Sequence, residues 1–325
     1  MDRPHGTDMD IREIHIPVMK DRALELLGPA LTGEGAVVID ATLGMGGHSE
    51  ALLEAFPAVR LIGLDRDGDA LAIARERLSR FASRIHLVHC VYDEIAEAWR
   101  GSGWPAPRGI LFDLGVSSLH LDEKERGFAY AQDAPLDMRM NAEEGVTAAD
   151  ILSGYSEGQL RRIFEVYGEE KLSARYARAI VAERAERPIE RSGHLVDVLQ
   201  AATPAALSNA GHPAKRVFQA LRIEVNSELE ALSLAMPRAL DILALHGRIV
   251  VMSYQSLEDK IVKAELAERC ETRAPADLPV VPEHLLPQMR LITRGAEQAD
   301  AAERARNPRS IPVRLRAAER VREAA

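Results

Sequence analysis

Short apolar runs rich in β-branched residues recur through the first third of the chain, at about 36–40, 60–65, 85–89 and 109–114. Amphipathic stretches separate them, such as Asp69 to Phe81, where Ala70, Ile73, Ala74 and Leu78 fall on one face. Brief apolar runs read as buried strands, and apolar residues three and four apart read as helices. Their alternation predicts a parallel, doubly wound α/β sheet. The pattern resumes late: Gly247-Arg248 leads into the apolar run Ile249 to Met252, a helix starts at Ser256, and strand-like segments follow at Met289 to Thr293 and Val313 to Arg316.

Between about 116 and 215 the pattern is helical throughout. Leu160, Ile163, Phe164 and Tyr167 make one stripe, and Leu172, Tyr176, Ala179 and Ile180 the next. Ser156-x-x-Gln159 is the signature of a capping box opening the first of these helices. The sheet is therefore expected to be interrupted by an all-helical subdomain, residues 116–215, which closes at the turn-rich Ser208-Asn209-Ala210-Gly211-His212-Pro213. Residues 1–115 and 216–325 form the core around it, and one long amphipathic stretch from Lys215 to about Leu243 returns the chain to the sheet.

Composition narrows the class. The chain has 325 residues and a net charge of −9, the wrong sign for coating nucleic acid by bulk attraction, so any such contact is local. Lys215-Arg216 with Arg222, and the C-terminal run from Arg304 through Arg309, Arg314, Arg316, Arg320 and Arg322, are candidates; solvated helix faces are the competing reading. No apolar segment suits a signal peptide or a membrane span, and a cytoplasmic location is expected. Cys90 and Cys270 stand alone, expected as small core residues, and no metal-ligand cluster is visible.

The chemistry sits at the ends of the expected strands. After the first comes VVIDATLGMGGHS, whose glycines Gly44, Gly46 and Gly47 allow a ligand close to the backbone at the start of a helix. Ser49 stands where a dinucleotide fingerprint requires its third glycine. The second strand ends in Asp65, about 20 residues on, where a carboxylate can accept both hydroxyls of a ribose; a helix cap is the alternative role. Tyr92 follows the third strand as a flat neighbour for a base, and Asp113 closes the fourth. Four such strand ends together point to a nucleoside-bearing cofactor, S-adenosylmethionine, with Asp113 where a methyl acceptor meets it.

From Phe112 onward the text FDLGVSSLHLDEKERGFAYAQDAPLDMRMN closely resembles the signature of the bacterial 16S ribosomal RNA cytosine-N4 methyltransferase family, RsmH/MraW. The resemblance extends to HIPVM, ATLGMGGHS, GLDRD, YGEEK, KRVFQALRIEVNSELEAL and SYQSLEDKIVK, from about residue 15 to 316. It implies a class I Rossmann-like methyltransferase sheet with an inserted helical substrate-recognition subdomain. It also implies S-adenosylmethionine contacts at Gly46, Gly47, His48, Asp65, Tyr92, Asp113 and His120. The chain departs from the family's more usual residues at His120 for glutamine, Tyr254-Gln255 for Phe-His, Lys260 for arginine, and in the tail from Arg309 to Arg316.

The activity so implied is methyl transfer to the N4 amine of a decoding-centre cytidine in 16S ribosomal RNA, within the small ribosomal subunit. Asp113 is the expected catalytic residue, orienting an N4–H and stabilising developing positive charge. DLGV lacks the prolines and aromatic that stack an extruded base in many amine methyltransferases, so Phe128, Tyr130 or Tyr254 is expected to do so, with Lys215 and Arg216 as further RNA contacts. Asp137 and Arg139 either shape the acceptor pocket or pin the signature loop as an ion pair. The rival readings are a methyltransferase for a small molecule or protein and a non-catalytic ribosome assembly factor.

Overall fold

A computed structural model describes residues 16–117, 126–207, 212–272, 274, 282 and 285–323. The chain divides into two compact units, Met1–Gly115 with Ser233–Ala325 and Val116–Leu232.

The first unit is built on strands β1 (Val37–Asp40), β2 (Arg60–Asp65), β3 (Ile85–His89), β4 (Gly109–Asp113), β5 (Arg248–Ser253), β6 (Met289–Leu291) and β7 (Arg314–Arg320). They form one sheet in the order β3-β2-β1-β4-β5-β7-β6. Its first five strands are parallel, as the alternation predicts, in registers that pair Asp40 with Gly63 and Leu111, Asp65 with His89, and Asp113 with Met252. The far edge departs from this, since β7 runs antiparallel to both β5 and β6. Side-chain alternation has the same period in either direction, so the pattern identifies a strand without orienting it. Every residue of β1 is buried, and β4 and β5 are nearly so, which is the mark of strands covered on both faces.

The expected strand Val313 to Arg316 continues to Arg320, and its arginines are structural. Arg316 donates to both carboxylate oxygens of buried Asp259 at 2.7 and 3.0 Å, and Arg314 adds a 3.2 Å bond. Buried Arg320 donates to the carbonyls of Leu240, Asp241 and Leu243, which closes the end of a preceding helix. Arg322 bonds the Pro287 carbonyl. Much of the arginine run that sequence offered as an RNA tail is thus held inside the sheet unit.

The second unit contains α-helices at Ala148–Gly154, Glu157–Val166, Ser173–Glu186, Ser192–Ala202 and Ala214–Asn226. The expected capping box is present, with Ser156 Oγ accepting from the Gln159 N–H and Gln159 Oε1 from the Ser156 N–H. The stretch from Lys215 to Leu243 is two helices, because Ser227 takes a left-handed conformation (φ 49°) between Asn226 and Glu228–Ile242. The first belongs to the helical unit, which therefore runs past residue 215. Val217, Phe218, Ala220 and Leu221 pack with Leu160, Phe164 and Tyr176 in its core, and no sequence turn marks that allegiance. Among the described residues no helix is long and apolar enough to cross a membrane. Cys90 and Cys270 are free and only partly buried rather than core residues, and burial pushes their thiols up to about 12 and about 11.

Candidate functional site

The parallel strands all point their carboxyl ends to one edge of the sheet unit, and polar side chains gather there because the backbone of each strand stops pairing. Gly46 heads the helix Gly47–Ala55 in a left-handed conformation, φ 81°, that a side chain would strain. Its turn is tied to the next strand end: Asp65 accepts the Gly44 N–H at 2.7 Å on one oxygen and the Asp67 N–H at 2.8 Å on the other. Asp67 caps the helix Gly68–Arg77, its side chain accepting the Asp69 N–H. Tyr92 follows β3 and meets Phe112 of β4 in a T-shaped contact, ring centroids 5.8 Å apart.

Asp113 is fixed on several sides. Its N–H donates to Thr42 Oγ1 at 2.6 Å, and its Oδ1 accepts the Tyr254 hydroxyl at 2.6 Å. His48 Nε2 lies 3.4 Å from Oδ2, yet neither ring nitrogen of His48 makes a hydrogen bond although the residue is 6% exposed. Burial works against a charged His48, but Asp113 and then Asp40 outweigh it and raise its pKa. Asp40, fully buried at the end of β1, accepts from Ser49 Oγ at 2.7 Å and from the Thr42 N–H at 3.2 Å. Burial nevertheless dominates and pushes its carboxyl up to about 6. Thr42 and Asp40 were not singled out in the sequence, and Ser49 entered only as a departure from a dinucleotide fingerprint; for Asp40, an aspartate closing an otherwise apolar strand was the available signal.

These residues fit S-adenosylmethionine. A buried imidazole with both nitrogens unsatisfied at the head of a helix is costly unless a ligand supplies partners, and the cofactor's amino-acid group carries both donors and acceptors. The Asp65 carboxylate at the glycine turn suits ribose hydroxyls, and Tyr92 offers a ring to a base. The structure thus brings Gly46, Gly47, His48, Asp65, Tyr92 and Asp113 into one unit, whereas His120 lies outside the described residues.

The remaining candidates are placed differently. Tyr254 is packed against the sheet unit's core and engages Asp113 through its hydroxyl. Phe128 is buried in the core of the helical unit, an ordinary place for an aromatic. Tyr130 stacks on His212, centroids 4.6 Å apart, and meets Phe218 edge-on. Lys215 is exposed, while Arg216 donates to the Glu169 carbonyl at 2.6 Å and Arg222 makes two bonds to Glu228. Asp137 and Arg139 form a two-bond ion pair, 2.8 Å each, within their own loop. Among the described residues no group of three or more His, Cys, Asp or Glu is arranged to hold a metal ion.

Comparison with known proteins gives one answer along the whole chain. Residues 12–321 match the model of the MraW methylase family. A ribosomal RNA small subunit methyltransferase H from Leifsonia xyli subsp. xyli is 63% identical over 311 residues, 95% of each chain. The protein of the same name from Clavibacter sepedonicus is 62% identical over 315 residues, 97% of this chain and 99% of its own. Among solved structures, an rRNA methylase from Streptococcus thermophilus covers 95% of this chain at 12% identity, with a TM-score of 0.44.

Proposed function

Because the chain belongs to the MraW methylase family, whose cofactor is S-adenosylmethionine, we propose that it methylates small-subunit ribosomal RNA at the N4 amine of a decoding-centre cytidine. The relatives' names support the RNA. The observation that carries the amine chemistry is Asp113, an acidic side chain at the end of β4 whose backbone N–H and Oδ1 are already engaged while Oδ2 lies 3.4 Å from His48 Nε2.

An exocyclic amine is a poor nucleophile because its lone pair is delocalised into the ring, and the bound cofactor supplies a methyl carbon on a good leaving group. What the protein adds is alignment and charge. Asp113 accepts one N4–H, which turns the nitrogen lone pair toward the methyl carbon and stabilises positive charge as it grows on the amine. The cofactor would supply the methyl group with its sulfur as leaving group, and Asp113 or water would take the proton of the far more acidic product ammonium. Tyr254 keeps the carboxylate from rotating away, and Thr42 fixes the backbone that carries it.

The substrate is the small subunit or its precursor, recognised through a preformed RNA surface, which suits a chain of net charge −9 and implies a modest salt dependence of binding. The test is to incubate the protein with methyl-labelled cofactor and naked 16S RNA, small subunits or whole ribosomes, and then map the labelled nucleoside. Label in N4-methylcytidine of the small-subunit RNA is the expected result. Label confined to protein or metabolites, or none in any arm, overturns it.

A further inference from the structure

The carboxylate of Asp113 has two oxygens in different situations, and the difference is made by one residue just after β5. Tyr254 places its hydroxyl 2.6 Å from Oδ1, a short bond in which the phenol donates to the anion. That phenol is held from behind as well. Buried Glu258 accepts the backbone N–H of Tyr254 at 2.8 Å and of Gln255 at 3.0 Å on one carboxylate oxygen, so the start of the helix Ser256–Cys270 fixes the tyrosine's backbone. Gly115, two residues beyond Asp113, has φ 98°, and a Cβ there would lie 3.7 Å from Tyr254 Cδ2. The chain thus turns away from Asp113 directly beside the ring.

We propose that Tyr254 is a positioning residue for the acceptor carboxylate, rather than a platform for the target base: its hydroxyl occupies Oδ1 and so aims Oδ2 at the substrate N–H. The inference rests on the assignment of Asp113 as the group that receives the amine. It follows from geometry, since its hydroxyl is committed to Asp113 and its ring packs against the sheet core. A phenylalanine at this position fills the same space but leaves Oδ1 without a donor.

The groups around Asp113 set the sign of the effect. His48 faces Oδ2 from the helix Gly47–Ala55, Asp40 acts from β1, and Tyr254 donates from beyond β5. Lys20 acts on His48, and Glu258 and Glu303 act on Tyr254. Of these, Tyr254 donates a short hydrogen bond to the carboxylate itself. Removing it takes that donor from Oδ1 and lets the carboxylate turn, which lowers the rate.

The test is Y254F, measured by single-turnover methylation at saturating cofactor over a range of small-subunit concentrations. The maximal rate should fall about tenfold, as expected for loss of one charge-assisted hydrogen bond. The small-subunit concentration that gives half the maximal rate should stay within about threefold of the parent's. Cofactor affinity, read by calorimetry, should be unchanged. A second readout is independent of turnover: the phenol of Tyr254, followed by carbon NMR of labelled tyrosine, is held well above its ordinary value by burial and then by Asp113, and should titrate lower in D113N. An undiminished maximal rate in Y254F, or a Tyr254 titration indifferent to D113N, overturns the inference. A fully active D113N instead removes the assignment of Asp113, so the two failures are distinguishable.

Discussion

The carboxyl edge of the sheet unit and the interior of the helical unit treat polar side chains in opposite ways. At the edge, His48 is buried with neither ring nitrogen bonded, and Asp40 is buried with its carboxyl pushed up to about 6. In the helical unit the buried Asn226 accepts from the Met140 N–H at 2.8 Å and donates to the Met138 and Arg222 carbonyls at 2.8 and 2.9 Å. Arg222 there meets Glu228 with two bonds, and His194 meets Glu183 at 2.7 Å. A protein that satisfies its polar groups in one region and leaves them costly in another has kept the second for a ligand or a reaction. That contrast, more than any one motif, locates the site.

The largest effect expected from breaking the contrast is on chemistry. Asp113→Ala removes the acceptor of the amine proton and should lower the single-turnover methylation rate by about 10²-fold or more, the range of a positioned acid or base. Quenched-flow assays at saturating cofactor and RNA measure it, and an unchanged rate would refute the role assigned to Asp113.

Next comes the pH dependence of stability. Asp40 has a folded-state pKa of about 6 against an unfolded value near 3.8. Its contribution is therefore fully present below about pH 3.8 and is lost as pH rises through about 6, a change on the order of 3 kcal/mol. His48, also raised, adds stability in the same direction, lost as pH rises through its folded value. In the helical unit Asp137, Asp150 and Glu183 are held below their ordinary range by Arg139, Thr147 and His194, and they contribute stability that is lost as pH falls. Hydrogen exchange should thus show the carboxyl edge loosening, relative to the helical unit, between about pH 4 and 6. Asp40→Asn should flatten that slope; an edge whose protection ignores the substitution contradicts the burial argument.

A smaller loss should follow from repairing nothing and removing a partner in the satisfied region. Asn226→Ala leaves the Met140 N–H and the Met138 carbonyl buried without their bonds, where Met138 already sits at φ 61°. The helical unit should lose about 2 kcal/mol in urea unfolding.

The two regions also differ in how well the sequence displays them. Strand ends were legible because β1, β2 and β4 are apolar runs closed by a single aspartate, and Asp40, Asp65 and Asp113 each stand out at such a boundary. The direction of β7 was not legible, since alternation has no sense of direction, and its length was hidden by arginines whose charges are met by Asp259 and by helix carbonyls. The hydroxyl contact of Tyr254 was not legible for a related reason. An aromatic after a strand looks the same whether its ring or its hydroxyl is used, and only the position of Asp113, 141 residues away in sequence, decides. The end of the helical unit was misplaced because Val217, Phe218 and Leu221 form a good amphipathic stripe for either unit.

The smallest expected effect is at the one helical feature that sequence specified in full. Ser156 and Gln159 each satisfy a backbone N–H of the other at the head of the helix Glu157–Val166, and both are local, so their geometry needs nothing from the rest of the fold. Ser156→Ala removes the hydroxyl acceptor but leaves the Gln159 amide oxygen in reach of the backbone, so only half the box is lost. We expect about 1 kcal/mol of destabilisation in urea unfolding, with Ser156→Asp near the parent because a carboxylate accepts the same N–H and favours the helix N-terminus. Cofactor affinity should not change in either variant, because the residues that fit the cofactor lie in the sheet unit. A weakened affinity in Ser156→Ala would mean that the helical unit's stability feeds into the cofactor site, and the division of labour between the two regions would have to be redrawn.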